Sequence, residues 1–163
     1  MMLAYRLVRL IETHSDALAA GLLDKVRHSE FTPSVNEHVP PEDLRQRVYD
    51  IYRHLGEWLV AKTDFDIEQR YQEIGAQRAR QGVPISEVIW TIVLTKENLW
   101  EFLKKESLLE RPSEVFSELE ILQLLEQFFE RAIYHASVGH ERAPLSGRVG
   151  SRTSYRAGEV RRK

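Results

Sequence analysis

The feature that most constrains this chain is an abrupt helix break at Gln81-Gly82-Val83-Pro84. Glycine ends helices readily because it tolerates a left-handed backbone, and proline fits the first turn of a new helix. Before the break, the residues from Asp64 onward show apolar positions at helical spacing, with Asp64 as the predicted N-cap. The sequence therefore predicts two helices that meet at this break, with the rest of the chain packed around them.

The helix after the break is apolar on nearly all sides, and Trp90 and Leu94 widen its apolar face. Such a helix is either central to the core or shared with a second chain. The last predicted helix, from Ser113 to about residue 139, also has two apolar sides, and Leu124 and Phe128 lie on the second of them. We therefore expect a homodimer whose interface includes Trp90, Leu94, Leu124 and Phe128.

Two more helices precede the break, at residues 3–28 and from Pro40 or Pro41 to Lys62, separated by a loop that contains three prolines. The fold class is thus all-α, a five-helix bundle that is compatible with a globin-like fold. A haem globin needs a proximal histidine between its central helix and the next long one. The segment 81–83 contains none, which indicates a pocket without haem and leaves His54 as the remaining mid-helix candidate.

The charge distribution divides the 163 residues into a helical domain, 1–141, and a basic tail, 142–163. The tail has seven basic residues against one acidic residue and almost no apolar periodicity, which predicts disorder. The chain has no cysteine, no signal peptide pattern and no apolar run long enough to cross a bilayer. We therefore expect a cytoplasmic protein without membrane contact.

No residue pattern predicts a reaction. Nucleotide-binding glycine loops and nucleophile motifs are absent from the sequence, and no pair of Glu-x-x-His segments could hold a metal ion. The sequence therefore predicts no enzyme, no cofactor and no metal site.

Arg78 is the most informative single residue, because it lies on an apolar helix stripe one turn after Gly75. A buried arginine needs a partner. It could instead extend to the surface or bond a helix end. The functional interpretation is a signal or ligand pocket formed by Trp58, Tyr71, Gly75, Arg78 and Gln81. A glycine inside a helix also predicts a close crossing by another helix at Gly75.

These segments resemble a known family. IYRHLGEWL (51–59), YQEIGAQRARQG (71–82) with the helix after it, and FFERAIYHASVGHE (128–141) are similar to the RsbRD-type N-terminal domain. This domain precedes the output domains of RsbT co-antagonist proteins of the bacterial stressosome and of some histidine kinases. The most specific part is Gly75-x-x-Arg78-x-x-x-Gly82-x-Pro84. The resemblance implies a helical sensory domain, in some relatives globin-like without haem, that dimerises through its terminal helices.

Three functional hypotheses follow. The first is a non-catalytic bacterial sensory and dimerisation domain that transmits a packing change to a protein partner. Relatives carry a STAS or kinase output domain, whereas a basic tail follows here, so the chain is expected to be either a lone sensory protein or one whose output lies in a partner. The second is a small-molecule or haem-binding globin-like sensor. The third is a nucleic-acid accessory protein that acts through its tail, although binding to nucleic acid is not expected from a tail with one aromatic residue, Tyr155.

Overall fold

A computed structural model describes residues 2–106 and 112–144, and the side chains of 6–106 and 119–144. Throughout these ranges the regular structure is helical, which confirms the all-α class. The helices are α1 (Met2–Thr13), α2 (Ser15–His28), α3 (Pro33–His38), α4 (Pro41–Arg53), α5 (Asp64–Arg80), α6 (Ile85–Glu106) and α7 (Pro112–Arg142), with a π-helical turn, Glu57–Ala61, between α4 and α5. The predicted tail lies, from residue 145 onward, outside the described residues.

The first two predicted helices are each divided in the structure. The first changes direction at His14, whose backbone leaves the helical region and whose Nδ1 donates to the carbonyl oxygen of Leu10 at 2.8 Å. The second is interrupted at His54, and just beyond it Glu12 of α1 accepts a hydrogen bond from the backbone N–H of Gly56 at 3.0 Å. This contact joins distant parts of the chain at the interruption. Hydrophobic periodicity within one helix does not indicate such a contact.

The predicted loop at residues 29–41 contains the short helix α3. Glu87 of α6, only 6% exposed, extends its carboxylate to the start of α3. Its Oε1 accepts hydrogen bonds from the backbone N–H groups of Ser34 and Val35, at 2.7 and 3.2 Å. These N–H groups have no partner within their own helix, so Glu87 satisfies them and joins α3 to α6.

The helix break has the predicted form, and the start of α5 differs by one residue. Thr63, rather than Asp64, is the N-cap, and it forms a reciprocal capping box with Asp66. At the other end, Gly82 has a φ of +77°, and the N–H of Val83 returns to the carbonyl of Arg78 at 3.0 Å. The left-handed glycine thus closes α5 and allows α6 to begin at once.

The core is formed on α5 and α7, which share the most extensive contact between helices. Helices α1 and α6 pack directly against this pair, and α2, α3 and α4 pack mainly against α1, α6 and one another. Two polar bonds join α6 to α4 and α2 inside the core. The hydroxyl of Tyr52 on α4 donates to the carbonyl of Thr95 on α6 at 2.9 Å. The side-chain amide of Asn98 on α6 donates to the carbonyl of Leu18 on α2 at 2.8 Å. Because buried polar groups need such partners, these bonds fix the position of α6 relative to α2 and α4.

Candidate functional site

A cavity of about 60 Å³ lies where α3, α4, α5, α6 and α7 meet. Two residues of the predicted pocket, Tyr71 and Arg78, line it from α5. Most of the remaining lining is aliphatic or aromatic and includes Val48, Ile51, Ile74, Val88, Ile92 and Phe129. The cavity is therefore an apolar space with a small number of polar groups, which is the usual composition of a small-molecule site.

Arg78 is buried, with 5% of its surface exposed. Its Nη1 donates to Oε1 of Gln81 at 2.8 Å, so the structure brings these two predicted pocket residues together. The nearest carboxylate, Asp43, is 3.9 Å from Nη1 and lies at the surface edge of α4. Burial, and then the neighbouring Arg47, lower the pKa of Arg78 to about 10, while Asp43 acts in the opposite direction.

Arg47 is a cavity residue that sequence reasoning missed. It lines the same cavity from α4, and its Nη2 donates to the side-chain carbonyl oxygen of Gln77. Its Nε is buried without a hydrogen-bond partner. In the sequence, Arg47 looks like its neighbour Arg45, because both are arginines on an amphipathic helix. The sequence signal for Arg47 is its neighbours: the apolar positions Leu44, Val48 and Ile51 beside it mark the side of α4 that faces the core.

Tyr71 packs at the inner end of the cavity. Its ring meets the ring of Phe128 edge to face, with centroids 5.8 Å apart. Burial raises the pKa of Tyr71 well above its ordinary value, so the phenol stays neutral at all physiological pH values. It can therefore serve as a wall and a hydrogen-bonding group, and it cannot serve as a base.

Trp58 and Gly75, the other two predicted pocket residues, lie elsewhere. Trp58 lies over Phe128 and borders a separate, open surface depression with Lys62 and Arg70. The Lys62 ammonium and the Arg70 guanidinium are 5.7 and 5.6 Å from the centre of its ring, which is the geometry of cation–π contacts. The predicted pocket is thus divided: Tyr71, Arg78 and Gln81 belong to one neighbourhood, and Trp58 belongs to another.

Gly75 forms the close helix crossing that its position predicts. A β-carbon on it would lie 2.0 Å from the carbonyl oxygen of Ala136 on α7. The contact is reciprocal, because a β-carbon on Gly139 would lie 2.0 Å from the carbonyl oxygen of Gln72 on α5. The role of Gly139 was missed, although Ala132, Ala136 and Gly139 form a small-residue face at helical spacing that could have indicated it.

The helix break is also bonded to α7. His140, one residue after Gly139, donates from Nε2 to the carbonyl oxygen of Val83 at 2.7 Å. The end of α7 therefore holds both partners of the break, α5 through the glycine crossing and the connection to α6 through His140.

The predicted dimer face requires correction. Phe128 and Leu94 are 3% and 8% exposed, so both lie in the core of a single chain and offer no surface to a second one. Leu124 and Trp90 are half-buried at the edge of that core. Helical spacing gave the correct apolar positions on α6 and α7, but two of the four chosen positions face inward because α5 and the smaller helices cover them.

The ionisable side chains of the cavity lining are those of Arg47, Tyr71 and Arg78. Among the described residues, no aspartate, glutamate, histidine or serine lines the cavity, and its hydroxyl groups belong to Tyr71, Thr91 and Thr95. It also has no histidine to serve as an axial ligand, and His54 lies beside Trp58 at the other depression. No group of three or more potential metal ligands occurs among the residues that the structure describes.

In the part of the chain that is described, no helix combines the length and the apolar character needed to span a membrane.

Comparison with known proteins adds one match. No curated protein and no solved structure matches the chain significantly. A family model described as the RsbT co-antagonist protein rsbRD N-terminal domain matches residues 5–145. This range includes the cavity, the glycine crossing and the helix break. Because the match covers most of the chain, the protein belongs to this family of bacterial stress-signalling regulatory domains.

Proposed function

We propose that the chain is a non-catalytic sensory domain that passes a change in helix packing to a partner protein. The observation that carries this proposal is the cavity, because residues of five helices line one small space. Any molecule that enters it contacts α4 and α6 together with the α5–α7 pair. A ligand that fits only one arrangement of these helices would shift the domain toward that arrangement.

The route for such a shift runs through the helix break. Arg78 lines the cavity and donates to Gln81, the last residue before Gly82. The next residue, Val83, accepts the hydrogen bond of His140 from α7. Two hydrogen bonds, that of Arg78 with Gln81 and that of His140 with Val83, therefore connect Arg78 with the end of α7. Beyond α7 the chain continues toward its basic tail.

The family description supports a protein as the recipient of this signal. The family model is named for a co-antagonist of RsbT, a name that describes action on another protein. We propose that the chain acts in the cytoplasm, in a complex with RsbT or with STAS-domain proteins of a stressosome. The division into a domain at 1–141 and a basic tail at 142–163 remains a prediction, with the tail as a candidate contact for that complex.

Co-purification from the source bacterium tests this proposal, with the full chain and a chain that ends at residue 144 used as baits. Mass spectrometry is expected to identify RsbT or STAS-domain proteins among the partners of the full chain. Capture of nucleic acid that depends on the tail would instead favour the nucleic-acid hypothesis. If neither bait captures a protein of the stress pathway, the proposed function is wrong.

We also propose that two chains associate through the accessible part of the face first predicted, Leu124 and Trp90, without the buried Leu94 and Phe128. Leu124 and the exposed Leu119 lie on α7, and half-buried Trp90 lies on α6. Light scattering of the purified chain is expected to give the mass of a dimer, and Leu124→Glu is expected to give a monomer. Gln123→Glu, at the exposed neighbouring position, is the control and should leave the mass unchanged. A monomer in the unmodified protein at micromolar concentration contradicts the proposal.

A further inference from the structure

The cavity combines an apolar lining with two positive charges. Its volume, about 60 Å³, is several times the roughly 10–15 Å³ that a single water requires. Walls of valine, isoleucine and phenylalanine do not hold water well, because a buried water needs two to four polar partners. A molecule with an apolar body suits this space better than a group of waters.

The two arginines occupy the same corner of the cavity. Arg47 bonds Gln77, the immediate neighbour of Arg78, and its charge acts on Arg78. Ile51 follows Arg47 by one helical turn, and Tyr71 precedes Arg78 by two turns. Each helix therefore places an apolar or aromatic side chain of the lining one or two turns away from its arginine.

The positive charge in this corner is poorly balanced. The side chains that accept hydrogen bonds from Arg47 and Arg78 are neutral amides, those of Gln77 and Gln81. Asp43 forms an ion pair with Arg78 at 3.9 Å, which is too long for a direct hydrogen bond, so one carboxylate faces two guanidinium groups. The buried Nε of Arg47 donates to nothing. The corner therefore keeps a net positive charge, and because buried charge is costly, it favours an anion.

The remaining polar groups of the lining limit the kind of anion. Thr91 and Thr95 both donate their hydroxyl hydrogens to carbonyls of their own helix, at 2.8 Å, and offer only lone pairs to the cavity. A guanidinium fork matches carboxylate and phosphate groups alike, so the apolar remainder of the lining is what favours an anion with an apolar body. Away from the arginines, the lining has one further possible donor, the neutral hydroxyl of Tyr71, which does not accommodate a second charged group.

We propose that the cavity binds a small organic monocarboxylate, with its carboxylate between Arg47 and Arg78 and its apolar body toward Ile51, Tyr71 and Phe129. This inference rests on the proposed sensory function and names the chemical class of its signal. It also explains why Arg78, a charged residue on an apolar stripe, lies inside the bundle without a close carboxylate.

Isothermal titration calorimetry of the full chain tests the inference, with sodium hexanoate as the probe. Hexan-1-ol tests the need for the charge, and inorganic phosphate tests the need for the apolar body. Hexanoate is expected to bind at least tenfold more tightly than either. Arg47→Gln is expected to weaken hexanoate binding at least tenfold, and Arg47→Lys, which keeps the charge and loses the fork, is expected to give an intermediate value. Arg45→Gln, at an exposed arginine of the same helix, is the control and should bind as the unmodified protein does.

Three results would overturn the inference: no binding of hexanoate, equal binding of hexanol or phosphate, or unchanged hexanoate binding by Arg47→Gln. Arg47 is half-buried and its partner Gln77 is also half-buried, so Arg47→Gln should fold, and circular dichroism verifies this. The co-purification experiment is independent of these titrations. If stress-pathway proteins are captured and hexanoate does not bind, the ligand class is wrong while the sensory function stands.

Discussion

Gly75 and Ala136 are in direct backbone contact: a β-carbon at position 75 would lie 2.0 Å from the carbonyl oxygen of Ala136. No side chain can occupy that position without moving one helix away from the other. Since α5 carries Arg78 and α7 carries His140, this crossing sets the distance between the cavity and the end of α7. The functional account therefore depends on two helices whose spacing is fixed by glycine.

Alanine at either glycine of the crossing should destabilise the fold. Gly75→Ala and Gly139→Ala each force α5 and α7 apart, and overpacking of this kind costs about 1–3 kcal/mol or more. Gly82→Ala is the comparison, because its β-carbon meets nothing within 4 Å and only the left-handed backbone opposes it, at a cost of about 1–2 kcal/mol. Urea unfolding should rank both crossing variants below Gly82→Ala, and the reverse order would contradict the crossing.

Removal of the His140 imidazole should loosen the helix break. In His140→Ala the carbonyl of Val83 loses its 2.7 Å hydrogen bond, which contributes about 0.5–1.5 kcal/mol. Hydrogen exchange should accelerate at the amides of Gly82 and Val83, which bond to Ala79 and Arg78. His28→Ala, at an exposed histidine of α2, should leave these rates unchanged. Equal rates in all three proteins would show that His140 does not hold the break.

Replacement of Arg78 by methionine should not destabilise the protein. The folded-state pKa of about 10 lies below the ordinary value of arginine, so burial of the charged group has a cost that is fully present below pH 10 and declines as the pH rises above it. Arg78→Met removes this cost, and its unfolding free energy at pH 7 should be unchanged or higher by about 1 kcal/mol. A loss of more than about 2 kcal/mol in urea unfolding would mean that Arg78 is present to support the fold.

The start of α5 should respond to acid. Hydrogen bonds from the backbone and side chain of Thr63 lower the pKa of Asp66 below 3.8. A lowered carboxyl pKa stabilises the folded state above the unfolded pKa, and this contribution is lost as the pH falls through the folded value. The stability difference between the unmodified protein and Asp66→Asn should therefore be constant at pH 5–7 and shrink below pH 3.8. Thr63→Ala, which removes the hydroxyl that bonds Asp66, should reduce this pH dependence, and an unchanged dependence would contradict the capping box.

Local chemistry explains what could be predicted from this sequence. The break at Gly82 and Pro84, the apolar stripes and the close approach at Gly75 each depend on a few neighbouring residues. The contact of Arg78 with Gln81 was predictable because the two are three residues apart on a helix end. The interruptions at His14 and His54 were not visible in the hydrophobic periodicity, and the second lies beside a bond between distant parts of the chain, from Gly56 to Glu12.

The candidate site was only partly predictable for the same reason. Tyr71 and Arg78 lie on one stripe of α5, and that stripe was visible in the sequence. Arg47 comes from a different helix and resembles Arg45 until α4 is placed against α5. Trp58 was assigned to the pocket on residue type, but the interruption at His54 turns it toward Phe128. Leu94 and Phe128 show a second limit of prediction from sequence. Periodicity identifies an apolar face of a helix, but it does not tell which other helix covers that face.

The central claim is that the state of the cavity reaches the end of α7 through the helix break. Val48→Phe fills the cavity from α4, far from the break in sequence, and Gln46→Phe places the same side chain on the exposed side of α4. Hydrogen exchange of the full chain should change at residues 81–84 and 136–142 in Val48→Phe and stay unchanged there in Gln46→Phe. If the changes in Val48→Phe are confined to α4 and α6, the cavity is not coupled to α7 and the account is contradicted.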